Sequence, residues 1–256
     1  MRKDNNKREK SPRQWFYRWW VIGTIVVFVV IVVVVSPWAI RSILFDGKTP
    51  SEILSIQNKG FDADELIMSE PKSVEIDNTP SLGDETAEVV IVEFLDFTNP
   101  QSREVSQTIR DVVSEYGSLV KLVHRDFPDP NNELSIKLAE AAHCADEQGY
   151  FWLVRDRIFV NQNIKTDEQI KEFIKTIGLD LGVFTECYNS RSYREIVLND
   201  YQNGLEIGVS ETPTFFFNGR MVEGLMKHDD FYEVLELFLP GVYPEYPADE
   251  VDYSFQ

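Results

Sequence analysis

The apolar and polar positions divide the chain into stretches of different character. Residues 19–35, WWVIGTIVVFVVIVVVV, carry no charge, and the uncharged run continues through SPWAI to Ile40. That length is about what crosses a bilayer core, and a run apolar on every face suits lipid rather than a soluble helix, so 19–40 is predicted to be a transmembrane helix. From 41 to 72 the period is lost. Gly, Pro, Ser and acidic residues interrupt short apolar patches (TPSEILSIQNKGFDADELIMSEP), which reads as a linker holding one short helix.

From residue 73 the pattern becomes that of a folded domain. SVEID (73–77) reads as an edge strand and NTPSLGDE (78–85) as a turn segment. EVVIVEFLDF (88–97) is nearly continuous in apolar residues, as in a central strand covered on both faces, with Glu93 as its anomaly and Asp96 expected at the strand end in solvent. Residues 100–116 read as a helix and LVKLVHRDF (119–127) as a second central strand, giving a β-α-β unit with a parallel pair. Helical stretches follow from about 132 to 207. In the first, Leu134, Leu138, Ala141, Ala142 and Ala145 share one face, and breaks fall at Gly149, 161–165, 178–181 and near Ser190. TPTFFFNGRMVEG (212–224) predicts a hairpin around Asn218-Gly219, and HDDFYEVLELFL a closing helix with Asp229 or Asp230 as N-cap. The acidic stretch 240–256 reads as a poorly ordered tail.

Charge orients this plan. Seven of the 25 basic and two of the 43 acidic residues lie in the first twenty, leaving 18 against 41 and a net charge of −23 for the remainder. Basic residues before the apolar run and few after it (Arg41, Lys48) place the segment 1–18 in the cytoplasm and everything after about residue 41 outside, in a single-pass protein of the cell membrane. Trp15, Phe16, Tyr17, Trp19 and Trp20 on one side and Trp38 on the other match the two interfacial aromatic belts. A cleaved signal peptide is the rival reading. The run is longer than a usual signal core and no small-x-small site follows, so an uncleaved anchor is favoured. The acidic domain excludes nucleic acid as its partner, because phosphate binding needs clustered basic side chains. Cys144 and Cys187, the only cysteines, then lie where a disulfide persists; they form either one bridge or two separate buried thiols. DFPDPNNE lacks the glycine and final glutamate of a calcium loop and reads as a solvated turn. No metal or cofactor is called for. The histidines His124, His143 and His228 are scattered, with no motif tying one to a serine.

Five strings in order, VVIVEFLDFTNP, VKLVHRDFP, LAEAAHCADEQGYFWLVRDRIF, LDLGVFTECYNS and GVSETPTFFFNGRMVEG, resemble the DsbA-like thiol-disulfide oxidoreductases, including their membrane-anchored forms, over about 74–239. The resemblance implies an α/β thioredoxin-like fold over 73–239 with an inserted helical subdomain at about 130–207. It also implies a Cys-x-x-Cys where the first helix begins, since helix N–H groups stabilise a thiolate there. Here the matching residues are Asn99, Pro100, Gln101 and Ser102, so dithiol catalysis is not expected. Capping by Asn99 or Thr98, with Pro100 in the first turn, accounts for them. The resemblance makes Glu93 the buried acid that helps move protons, and Thr212-Pro213 the cis-proline loop. Val209, Ser210, Glu211 and Thr212 are then placed to pair with an extended polypeptide. Cys144 and Cys187 fall where some relatives carry a structural disulfide.

Three functions remain open at this point: a non-catalytic binder of extracytoplasmic polypeptides, an oxidoreductase working through Cys144/Cys187 or a partner thiol, and an envelope spacer or assembly module.

Overall fold

The computed structural model describes residues 63–242 except Asn78 and Gln162. The predicted basic segment, the 19–40 span, most of the linker and the end of the acidic tail lie outside the described residues. Among the described residues no helix is long and apolar enough to cross a membrane.

A five-stranded sheet forms the centre, with strands β1 (Ser81–Leu82), β2 (Val89–Leu95), β3 (Val120–Asp126), β4 (Thr214–Phe217) and β5 (Arg220–Glu223) in the order β1-β3-β2-β4-β5. β2 and β3 pair in parallel, from Val89 opposite Val120 to Leu95 opposite Asp126, as a β-α-β crossover requires. β4 runs antiparallel to β2, with Ile91 opposite Phe217 and Phe94 opposite Thr214. The continuous apolar look of β2 hides a period of two. Val89, Ile91 and Leu95 enter the larger core under the helices, whereas Val92 and Phe94 enter a second core with Val123, Phe127, Val209 and Phe216 on the other face. The predicted hairpin turns at Asn218 (φ 47°) and Gly219 (φ 85°), two positive-φ residues as a tight hairpin demands. The Asn218 side chain accepts from Val90 N and donates to Glu88 O, pinning the turn to the start of β2.

The edge strand is not where the alternation put it. Residues 73–77 join no ladder; Val74 and Ile76 instead pack on the second core, and β1 at Ser81–Leu82 pairs antiparallel with β3. Alternation reports one apolar face, and packing across a sheet satisfies it as well as pairing does. The short linker helix is α1 (Ala63–Met68), and it is tied to the domain: Leu66 is buried, Lys72 N donates to Gly219 O at 2.8 Å, and the Lys72 ammonium donates to Ile207 O at 2.6 Å.

Helix α2 (Pro100–Tyr116) crosses from β2 to β3 with Val105, Ile109, Val112 and Val113 inward. The helical block comprises α3 (Glu133–Asp146), α4 (Phe151–Val160), α5 (Asp167–Lys175), α6 (Leu181–Ser190) and α7 (Arg194–Glu206), with its breaks where the sequence placed them. In α3 every residue from Ile136 to Ala145 but Lys137 is buried, and alanines let neighbouring helices approach closely. Gly204 lets α7 approach the segment after β3, since a Cβ there would meet the Phe127 ring at 2.8 Å. The closing helix α8 (His228–Phe238) starts where the sequence placed it, but its N-cap is Lys227, two residues before Asp229 and three before Asp230. Asp230 is not the N-cap but reaches back to accept the Lys227 amide at 2.7 Å, stabilising the start of the helix from inside its first turn.

Candidate functional site

The end of β2 meets the start of α2 at the segment Asp96–Ser102. Asp96, expected in solvent, is buried because its carboxylate organises the turn. It accepts from Thr98 N (2.7 Å), Thr98 Oγ1 (2.9 Å) and Ser135 Oγ (2.6 Å) with one oxygen, and from Asp129 N (3.2 Å) with the other. An aspartate that accepts a bond from the residue two positions on closes a local turn and is more useful there than in water. Asp129 in turn accepts from Asn131 N, so DFPDPNNE is a turn hydrogen-bonded to the site.

Asn99 is the N-cap of α2. Its Oδ1 accepts from Gln101 N at 2.7 Å and Ser102 N at 3.4 Å, while its Nδ2 donates to the Thr212 carbonyl and hydroxyl, both at 2.9 Å. Only one orientation of the carboxamide serves both sides, since the helix offers donors and the Thr212 carbonyl an acceptor. Pro100 opens the helix, where a missing N–H costs nothing, and Gln101 is exposed. Ser102 is fully buried and its hydroxyl accepts from Asp96 N at 3.3 Å. The four residues that stand where the resemblance places Cys-x-x-Cys thus form a hydrogen-bonded helix start.

The Thr212-Pro213 bond is cis, and the loop faces Asn99. The loop residues expected to pair with a polypeptide divide in two. Val209 is buried in the second core with its N–H on Gly204 O (2.8 Å), and Ser210 donates its N–H and Oγ to one Glu223 oxygen (3.1 and 3.0 Å). Glu211 is exposed, and Thr212 is 8 % exposed and held by Asn99.

Beneath this turn lies a buried ionic chain that the sequence reading did not assemble. Glu93 takes a bidentate Arg155 (Nη2 at 2.6 and 2.8 Å, Nε at 2.9 Å) and His124 Nδ1 at 2.8 Å. His124 Nε2 lies 3.3 Å from one oxygen of Asp126, whose other oxygen meets His143 Nε2 at 2.6 Å. Arg155 is flanked by the Trp152 and Phe159 rings, and its remaining nitrogen binds Asp156 at 2.7 Å. Asp200 accepts the Asp126 amide and pairs with Arg125. Burial alone would push the Glu93 carboxyl up, but the Arg155 charge and the His124 contact outweigh it and hold it below the ordinary range. Burial would likewise push His124 down, yet its bonds to Asp126 and Glu93 carry it above its ordinary value. Burial also acts against the charge on Asp126, and His143 and His124 bring its carboxyl down; Asp200 is raised by burial and by the Asp126 charge. The signal for Arg155 was present: in FWLVRDRIF it falls on the helix face of Phe151 and Ile158, a charge on an apolar stripe that needs a buried partner, and Glu93 is the matching anomaly in β2. Both rings near the site are engaged in this chain, and none of its contacts reaches Ser102.

Cys144 of α3 and Cys187 of α6 are joined, with Cα atoms 5.8 Å apart and both residues buried. As the chain has only these two cysteines, it holds no free thiol.

A parallel β-α-β unit, a helical block, and a hairpin with helix whose cis-proline faces the first helix start together define a thioredoxin-like fold with a helical insertion. Residues 75–236 match the family described as Thioredoxin, and the chain belongs to that family. It is 28% identical over 160 residues to a Na(+)/H(+) antiporter NhaA of Herminiimonas arsenicoxydans, a match covering 62% of this chain but 25% of the antiporter. It is also 28% identical over 153 residues to a probable disulfide bond formation protein D of Bacillus cereus, covering 55% of this chain and 70% of that one. The chain thus spans about a quarter of the length of the antiporter relatives it matches. Among solved structures, the thiol-disulfide exchange protein alpha-DsbA2 of Wolbachia pipientis superposes with a TM-score of 0.56 at 22% identity, over 62% of this chain and 87% of that one, a likeness of fold.

Proposed function

We propose that this protein is a membrane-anchored member of the family that displays its domain outside the cell membrane and binds extended polypeptides without exchanging electrons with them. The observation that carries this reading is the Asn99 carboxamide at the head of α2, where exchange would need a thiolate. A carboxamide is no nucleophile toward a disulfide sulfur, and an alcohol such as Ser102 does not cycle through mixed disulfides. Cys144 and Cys187 do not stand in for the missing pair: they are joined and buried inside the helical block rather than at a helix N-terminus. The charge-free run at 19–40 supports the anchor, and the likeness to part of a Na(+)/H(+) antiporter is in keeping with a domain held at a membrane. The cis-proline loop, with Glu211 exposed beside Thr212, supports polypeptide binding by strand addition.

Full-length chain in detergent, titrated with a reduced and thiol-blocked unfolded polypeptide, is expected to bind it saturably while leaving an unblocked dithiol peptide unoxidised. Binding too weak to saturate, together with turnover of the dithiol peptide, would show an enzyme instead.

A further inference from the structure

The cis-proline loop is held from inside the molecule. The carbonyl and hydroxyl of Thr212 both accept from Asn99 Nδ2 at 2.9 Å, across 113 residues of sequence, while the other end of the same carboxamide caps α2. A strand docking beside a loop pairs with its backbone carbonyls and amides. The Val209 and Ser210 amides are already bonded to Gly204 and Glu223, so docking is concentrated on Glu211 and Thr212. From this arrangement we infer that Asn99 is a latch, a side chain that sets polypeptide affinity by occupying the Thr212 acceptors a client strand would use. This rests on the proposed polypeptide binding and adds the residue that regulates it.

The geometry explains why asparagine suits this position. Aspartate or serine would cap the helix equally well, but neither carries an N–H₂ group to reach Thr212. A threonine loop residue doubles the effect, since its hydroxyl and carbonyl converge on the same nitrogen. A client strand must displace these bonds before it can use the carbonyl, so the latch lowers apparent affinity by the fraction of time it is shut.

Asn99→Asp separates the two halves of the carboxamide. It keeps the acceptor that caps α2, adds a charge favourable at a helix N-terminus, and removes both donors to Thr212. In the full-length chain in detergent, hydrogen exchange over residues 209–212 is expected to speed up in Asn99→Asp while exchange over the first turns of α2 stays as in wild type. A thiol-blocked, reduced insulin B chain used as probe is expected to bind on the order of tenfold tighter, the scale of two lost hydrogen bonds. Asn99→Ser, uncharged and too short to span the gap, is expected to behave likewise, and Thr212→Val to give a smaller change by removing one of the two acceptors. Unchanged exchange over 209–212 in both Asn99 variants overturns the latch, as does a wild type that binds the probe with variants that bind it no tighter. Faster exchange in both variants without binding by any form shows that Asn99 only braces the loop; it defeats the polypeptide-binding reading and the latch with it, whereas binding that the variants do not tighten defeats the latch alone.

Discussion

The start of α2 and the interior of the helical block make an instructive pair. At the helix start, backbone N–H groups converge in the geometry that activates a thiolate, and an amide side chain fills it. In the helical block, two sulfurs are present but joined and shut away from solvent between α3 and α6. The molecule therefore keeps the electrostatic apparatus of exchange in one place and its sulfur in another. Reactivity depends on their coincidence, so a fold alone does not carry it.

The sharpest way to break this separation is to move sulfur to the field. In an Asn99→Cys, Ser102→Cys double variant, a thiolate at 99 would accept the Gln101 and Ser102 amide bonds that Asn99 Oδ1 now accepts. With a disulfide preformed between the two introduced cysteines, that variant is expected to oxidise a dithiol peptide, one peptide disulfide per protein disulfide reduced, at an initial rate orders of magnitude above that of the unaltered chain.

Next in size is the buried ion pair beneath the same turn. Arg155→Met leaves the Glu93 carboxylate in the core without its bidentate partner and is expected to lower unfolding stability by about 3–5 kcal/mol in denaturant titration. Replacing both, as Glu93→Leu with Arg155→Met, is expected to lower it less, because the two opposite charges leave together and only their contacts to His124 and Asp156 are lost.

On the other side of the comparison, Cys144→Ala with Cys187→Ala opens a loop of 43 residues and is expected to cost about 4 kcal/mol by chain entropy. The proposed polypeptide binding is expected to stay unchanged at moderate temperature, since the bridge joins α3 to α6 and neither cysteine belongs to the Asp96–Ser102 turn or to the 209–213 loop. A loss of binding without a loss of stability would place the sulfurs in the site after all.

The smallest effect is a pH slope. His124 is raised above its ordinary 6.5 in the folded state, so its contribution is fully present below that value and is lost as pH rises through the folded value. Asp200, also raised, acts in the same direction. Glu93 and Asp126, lowered from 4.5 and 3.8, contribute above those values and lose their contribution as pH falls through the folded ones. Stability is thus expected to be greatest in mild acid, between the ordinary carboxylate range and 6.5, and to fall toward pH 8 by at most about 1.4 kcal/mol per unit for each proton linked. Thermal midpoints across pH read this directly, and His124→Gln is expected to flatten the alkaline limb.

Much of this was legible in the residues. The central strands, the five helices of the block with their breaks, and the Asn218-Gly219 hairpin follow from period and turn chemistry, which act locally. The resemblance brought the cis-proline loop and the position of the missing dithiol. What stayed hidden was non-local. Asp96 is kept from water because, besides Thr98 in its own turn, it accepts from Asp129 and Ser135, 33 and 39 positions on. The link from Asn99 to Thr212 spans 113 positions, and only the fold closes it. His124 and His143 looked scattered until β3 and α3 brought Asp126 between them.

The account stands most directly on the absence of exchangeable sulfur. Native full-length chain, incubated with a polypeptide carrying an activated mixed disulfide and separated without reductant, is expected to migrate free of any covalent adduct and to take up no thiol label before denaturation and reduction. A disulfide-linked adduct through Cys144 or Cys187 would contradict it.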